Sequence, residues 1–252
     1  MQNQTKSMLP NFFLCKFVPA RLLCIEQTFY LAPHRLFFKM WFSMLACVCL
    51  LFAFMWRLWA VLPKSSSKPR RHSTSPCKTC IVLGSGGHTT EMIALIRNLD
   101  DHQYAPRTYV IADTDSLSEV KARQLEQERS GVEHKDYFIL RIPRLREVGQ
   151  SLSSVPFSVV KALLGSFKIL SNMPDLIICN GPGSCISICM VAYLPRLLGI
   201  KHIRIVYVES FARVKSLSVT GRLLYPVVDN FLVQWPELLE TYPRAIYNGT
   251  LV

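Results

Sequence analysis

Downstream of residue 76, two spacings of apolar residues alternate along the chain. Short runs read as buried strands: Lys78–Leu83, Arg107–Ala112, Tyr137–Ile142, Asp175–Asn180, Arg204–Val208 and Asn230–Gln234. Between them lie stretches with helical spacing: Thr89–Leu99, the charged Leu117–Glu128, the long apolar Leu152–Leu170, and Ser184–Leu198. Strand and helix in regular alternation predict a doubly wound parallel α/β sheet. Leu152–Leu170 carries more apolar surface than one buried stripe needs. Core packing is the expected use of that surface, and a face turned to a membrane or a lipid is the alternative.

Upstream the pattern differs. Trp41–Leu62 is an apolar run interrupted only by Ser43 and Arg57. As a helix it measures about 33 Å, enough to cross a bilayer core of about 30 Å. Trp41, Trp56 and Trp59 suit the membrane–water boundaries, and no small-residue cleavage site follows. The run therefore reads as a retained single-span anchor. Residues 1–40 form an extension without clean periodicity and are expected to be poorly ordered. Residues 63–76 form a basic Ser/Pro-rich linker, and residues 77–252 form the globular domain.

Charge sharpens this division. The net charge is +12, but residues 1–76 hold ten Lys/Arg against Glu26 alone, while the rest hold nineteen against sixteen acids. The excess flanks the apolar run and does not line a groove on the domain, which argues against nucleic acid as a partner. Lys64, Lys68, Arg70 and Arg71 follow the span and place the domain on the cytosolic side. By that topology the sequon at Asn248 stays bare, whereas the one at Asn3 is modified only if lumenal. The nine Cys include one CxxC, Cys77 and Cys80, with no second pair at zinc spacing, so no metal site is expected. Cys179, Cys185 and Cys189 read as small core residues of a reducing compartment.

In a doubly wound sheet, ligands lie beyond the carboxyl ends of the strands. That edge gathers Gly84–Thr89, Asp113–Asp115, Arg141–Arg146, Asn180–Ser184 and Glu209–Arg213. Two glycine turns lead into helix starts, Gly84-Ser85-Gly86-Gly87-His88-Thr89 and Asn180-Gly181-Pro182-Gly183-Ser184. Such turns bring N–H groups close to an anion such as a phosphate. His88 is placed to bond a phosphate or a sugar hydroxyl, or to accept a proton. Glu209 ends an apolar strand and is either a site carboxylate or a strand-end residue. Arg141, Arg144 and Arg146 suit a diphosphate, or form a solvated face.

The chain stops near the sixth strand, so no second lobe is expected within it, and either the chain dimerises or another protein supplies the missing half. Its end, Tyr242–Val252, is apolar and β-prone, which calls for a partner surface. Tyr242, Ile246, Tyr247, Leu251 and Val252 are the candidate contacts. A rival reading is a membrane-tethered dinucleotide oxidoreductase, suggested by Gly84-x-Gly86 and Asp113 but weakened by Thr89 at the last fingerprint position. A third is a scaffold without ligand.

GSGGHTTEM, YVIADTDS, RIPRLREV, PDLIICNGPGSC, VYVES and FLVQWPELLETYP occur in that order between Gly84 and Pro243. In these motifs the chain resembles the membrane-anchoring subunit of the two-protein UDP-N-acetylglucosamine transferase of asparagine-linked glycosylation, from about Trp41 to Val252. The resemblance implies the N-terminal half of a split GT-B fold on the cytosolic face of the endoplasmic reticulum. It implies a small soluble catalytic partner that binds the donor UDP-GlcNAc, so that this chain alone binds no cofactor and is inactive. The lipid dolichyl-diphosphate-GlcNAc is the implied acceptor, and the enzyme that makes it is a further candidate partner. His88 matches the glycine-turn histidine of the similar bacterial transferase of peptidoglycan lipid precursors, whereas Glu209 matches only loosely.

Overall fold

The computed structural model describes residues 20–63, 75–130, 137–145 and 150–251. The chain divides into two compact units, residues 1–56 and 57–252. The first contains most of helix α1 (Ala20–Val61), in which Phe37–Val61 is long and apolar enough to cross a membrane. From Phe37 to Trp56 every residue is exposed, which an aqueous helix this apolar could not sustain. The helix begins at Ala20, well inside the extension expected to lack order. Adding turns to an existing helix is easier than nucleating one, and the segment from Ala20 to Lys39 continues the helix although it contains Pro33. Residues 1–19 and most of the linker lie outside the described residues.

The second unit carries a seven-stranded sheet in the order β3-β2-β1-β4-β5-β6-β7, all neighbours parallel. Its first six strands are β1 (Thr79–Val82), β2 (Arg107–Ala112), β3 (Tyr137–Ile142), β4 (Leu176–Asn180), β5 (Arg204–Val208) and β6 (Asn230–Val233). A seventh, β7 (Ile246–Tyr247), pairs with β6 in the region read from sequence as a free tail. Two residues are too few to show a strand period. The helices are α2 (Gly87–Ile96), α3 (Ser116–Ser130), α4 (Val155–Ser166), α5 (Ser184–Leu197), α6 (Val219–Leu224) and α7 (Leu238–Thr241). The predicted helix over 152–170 is divided into α4 and flanking 3-10 turns, with Pro156 in the first turn of α4, where its missing N–H costs nothing.

Alternation along β1 splits the core into two layers. Ile81 and Leu83 pack with Met92 and Ile96 of α2 and with Ala122 and Leu125 of α3. Cys80 and Val82 lie in the opposite layer with Cys179, Cys185, Ile188 and Cys189. Burial pushes the Cys80 thiol up to about 12, so it behaves as an apolar side chain.

One polar cluster ties α3 to the sheet. Arg107 donates from Nε and Nη2 to the two oxygens of Glu126, each at 2.7 Å, and the Tyr109 hydroxyl donates to the same carboxylate. Both ionic side chains are buried. Removing Glu126 leaves the buried guanidinium with the partly exposed Asp101, 3.2 Å from its Nη1, in place of a buried bidentate partner. Glu126→Ala is expected to lower stability by about 3–5 kcal/mol, read from the urea midpoint of the detergent-solubilised chain. A shift near zero would show that water replaces the carboxylate.

Candidate functional site

The strand order reverses direction at β1 and β4. From β1 the chain leaves toward β2, and from β4 toward β5, so a crevice opens between the two carboxyl ends. Both glycine turns occupy it, and they touch. A Cβ on Gly84 would lie 2.7 Å from the His88 Cβ and 3.1 Å from Pro182 Cγ. A Cβ on Gly181 would overlap the His88 imidazole, and its φ of +70° already disfavours any side chain. The ring of His88 thus lies against the β4 turn in the space a side chain would fill.

A hydrogen-bond chain then orients this ring. His88 Nδ1 lies 2.9 Å from Asn180 Oδ1. Asn180 Nδ2 donates to Glu91 Oε2 at 3.0 Å, and the Ser210 hydroxyl donates to Glu91 Oε1 at 2.9 Å. The amide spends its N–H on the carboxylate, so its oxygen is left to accept. Nδ1 therefore donates, and in the neutral form of the ring Nε2 is the nitrogen left to accept. Asn180 is fully buried and the His88 side chain is 37 % exposed, so the chain runs from the interior outward. It joins the ends of β1, β4 and β5.

The remaining predicted residues divide. Ser85, Gly86 and Gly87 are exposed at the crest of the first turn, with Gly183 at the crest of the second and Ser184 half-buried behind it. Thr89 faces inward: its hydroxyl donates to the Gly84 carbonyl and lies 2.6 Å from the Ser118 hydroxyl. Ser118 in turn donates to Asp115, whose other oxygen caps the start of α3. This triad braces the turn from the rear.

Glu209 is fully buried. It accepts from the backbone N–H groups of Ser210 and Ser218, each at 3.0 Å, and from the Ser218 hydroxyl. Gly221 leaves room for its carboxylate, and burial raises its pKa. Through these bonds Glu209 anchors the loop before α6. Arg141 is paired with Glu119 and donates to the Asp113 carbonyl, on the far side of β2 from the crevice. Arg144 is half-buried, and Arg146 lies outside the described residues. In the tail, Tyr242 packs edge-on against Tyr225, Ile246 is half-buried in β7, Tyr247 is exposed, and Leu251 bonds Gln234. Val252 is not described.

Glu91 and Ser210 escaped the reading of the sequence, although Glu91 lies one helical turn after His88, a spacing that faces two side chains together. Among the described residues, no three His, Cys, Asp or Glu side chains converge as metal ligands would.

Residues 79–251 match the family described as "Oligosaccharide biosynthesis protein Alg14 like". Relatives named UDP-N-acetylglucosamine transferase subunit ALG14 include the Rattus norvegicus protein, 45% identical over 78% of this chain and 91% of the relative. The Homo sapiens protein is 44% identical with the same shares. The Schizosaccharomyces pombe protein is 48% identical over 67% of this chain and 80% of the relative. Among solved structures, Acinetobacter baumannii MurG is similar at 18% identity and a TM-score of 0.49, over 69% of this chain and 46% of that one. These matches leave the dinucleotide oxidoreductase reading without support. The chain belongs to the Alg14-like family of oligosaccharide biosynthesis proteins.

Proposed function

We propose that this chain is the membrane-anchored, acceptor-side half of a two-subunit transferase that moves GlcNAc from UDP-GlcNAc to dolichyl-diphosphate-GlcNAc. The observation that carries the reading is the His88–Asn180–Glu91 chain, set in an open crevice on a protein of this family. The family relatives' names supply the donor sugar nucleotide and the status of a subunit. The α1 span and the basic residues after it support a place at the endoplasmic reticulum membrane, with the domain on the cytosolic face.

In this mechanism the lipid diphosphate lies across the first turns of α2 and α5, whose N–H groups favour anions. The acceptor sugar hydroxyl meets His88 Nε2. Its oxygen bonds the anomeric carbon of the donor GlcNAc, the bond from that carbon to UDP breaks, and the hydroxyl proton passes to Nε2. Asn180 and Glu91 hold the ring in the tautomer that leaves Nε2 free and stabilise the imidazolium that forms. The donor is held by the soluble partner, because the crevice of a single sheet leaves one side open. The tail contributes to that contact through the exposed Tyr247 and the free edge of β7.

Full-length chain reconstituted with the soluble subunit should transfer GlcNAc to the lipid acceptor, and turnover by this chain alone would sink the split assignment. His88→Ala should cut kcat by about 10²–10⁴-fold while the partner still co-purifies, and Gly181→Ala should do the same by displacing the ring. Undiminished kcat in both would remove His88 from the chemistry.

Glu209 is expected to behave oppositely. Burial raises its pKa, so the native state holds its proton to higher pH than the unfolded chain. Its ionisation therefore lowers stability as pH climbs from the ordinary 4.5 through the raised value. Glu209→Ala should flatten that slope and lower the melting temperature, with kcat per folded molecule kept. A kcat loss matching that of His88→Ala would make Glu209 a participant.

For the partner contact, Tyr247→Asp should reduce co-purification of the soluble subunit by more than its effect on the melting temperature explains, since the side chain is 37 % exposed on the edge strand. Equal recovery of the subunit would move the interface elsewhere.

A further inference from the structure

A cavity of about 480 Å³ opens where α5 ends and β5 begins, at the opposite edge of the sheet from the crevice. Its size is that of a small-ligand site, and all its lining residues belong to the second compact unit. Arg57, Arg196, Lys201 and His202 line it, with Asp229 as the single carboxylate. Arg196 pairs with Asp229, and Lys201 pairs with Asp175 at 2.7 Å. Arg57 donates to carbonyls, from Nε to Leu197 at 3.0 Å and from Nη2 to Arg196 at 3.3 Å, which occupies its N–H groups without cancelling its charge. Burial, and after it the charge of Arg196, lowers the pKa of His202, so that ring adds no charge near neutrality. Three cations, Arg57, Arg196 and Lys201, thus stand against two carboxylates, Asp229 and Asp175, which leaves one positive charge over.

We propose that this cavity is a second ligand site, for a phosphate group borne by a lipid, with the phosphate against Arg57 and Arg196. Arg196 carries the argument furthest. It is 4 % exposed, and its hydrogen bonds all leave from Nη2, to the Ile203 carbonyl, the His202 ring and Asp229. Its Nε and Nη1 are buried without a hydrogen-bond partner, while the Tyr193 ring covers one face of the guanidinium. Buried donors are seldom left unpaired, and guanidinium forks suit phosphate oxygens. The rest of the lining separates a lipid phosphate from a free one. Val61, Leu62 and Ile200 give the cavity an apolar side, and Val61 is the last residue of the membrane-crossing segment. A phosphate at this level in the chain meets lipid headgroups first. Binding would tie residues 57–63 to the turn between α5 and β5, so it should stabilise the fold. The site goes beyond the transferase reading and uses no residue of the crevice.

The test titrates the full chain, in a neutral detergent, with three probes: dioctanoyl phosphatidic acid, dioctanoylglycerol and inorganic phosphate. Bound mass is read by native mass spectrometry and stability by the melting temperature. Phosphatidic acid is expected to give one saturable adduct and a raised melting temperature. Inorganic phosphate should bind at least about tenfold more weakly, for want of the apolar contact, and dioctanoylglycerol should give no saturable adduct. Arg57→Gln should weaken phosphatidic acid about tenfold, and Arg57→Lys should recover part of the loss. Ile200→Asp, at a side chain 65 % exposed, should keep the melting temperature of the free chain and abolish the lipid-induced rise. Equal affinity for phosphate and phosphatidic acid would overturn the lipid as source. Equal affinity for dioctanoylglycerol would overturn the phosphate contact. Absence of a saturable adduct, or an adduct that neither Arg57→Gln nor Ile200→Asp weakens, would overturn the site.

Discussion

An imidazole can rest against a peptide backbone only where no side chain intervenes, and Gly181 meets that requirement. Its missing Cβ lets the turn after β4 close on His88, which the turn after β1 delivers. The contact sits where neighbouring strands send their helices apart, the one place along a parallel sheet where two such turns face each other. Once the ring lies there, Asn180 at the end of β4 is within reach of Nδ1, and the carboxylate of Glu91 is within reach of the amide. Ser210 then brings in β5. The His88–Asn180–Glu91–Ser210 chain is thus arranged around the side chain that Gly181 lacks.

Glu91 and Glu209 show what a carboxylate's surroundings decide. Glu209 ends the more apolar strand and invites a functional reading on cost alone, because an unpaired acid there would be expensive. The structure offsets that cost locally, with two backbone donors and the Ser218 hydroxyl, and so makes it an anchor. Glu91 sits on a helix surface, where an acid is unremarkable. Only the fold gives it a role, by bringing Asn180 across from a strand 89 residues away. Local sequence records the expense of an isolated charge but not the partner that relieves it.

The same logic separates what was legible from what was not. Six strands and four helices follow from periodicity, since each is long enough to show its period and each buries one face or both. The two glycine turns and His88 follow as well, because glycine before a helix start leaves a local mark. Strand β7 and helices α6 and α7 do not, being shorter than a period needs. Thr89 and Arg141 lie on the correct sheet edge, yet the first turns inward to Gly84 and the second outward to Glu119. Edge position is a property of topology, whereas direction also depends on neighbours distant in the chain, Ser118 for Thr89 and Glu119 for Arg141.

The apolar surface of α4 is a further case of the same limit. Periodicity identifies an amphipathic stripe but not which side of it meets the sheet. Here the small residues Ala162 and Ser166 face inward and the bulky ones outward, the reverse of a core helix. Small side chains allow α4 close to α5, where the Ser166 hydroxyl donates to Ser187 at 3.1 Å. That close approach leaves no room for Phe157 or Leu164 on the inner face. Phe157, Val160 and Leu164, on the other side of the helix, stay exposed.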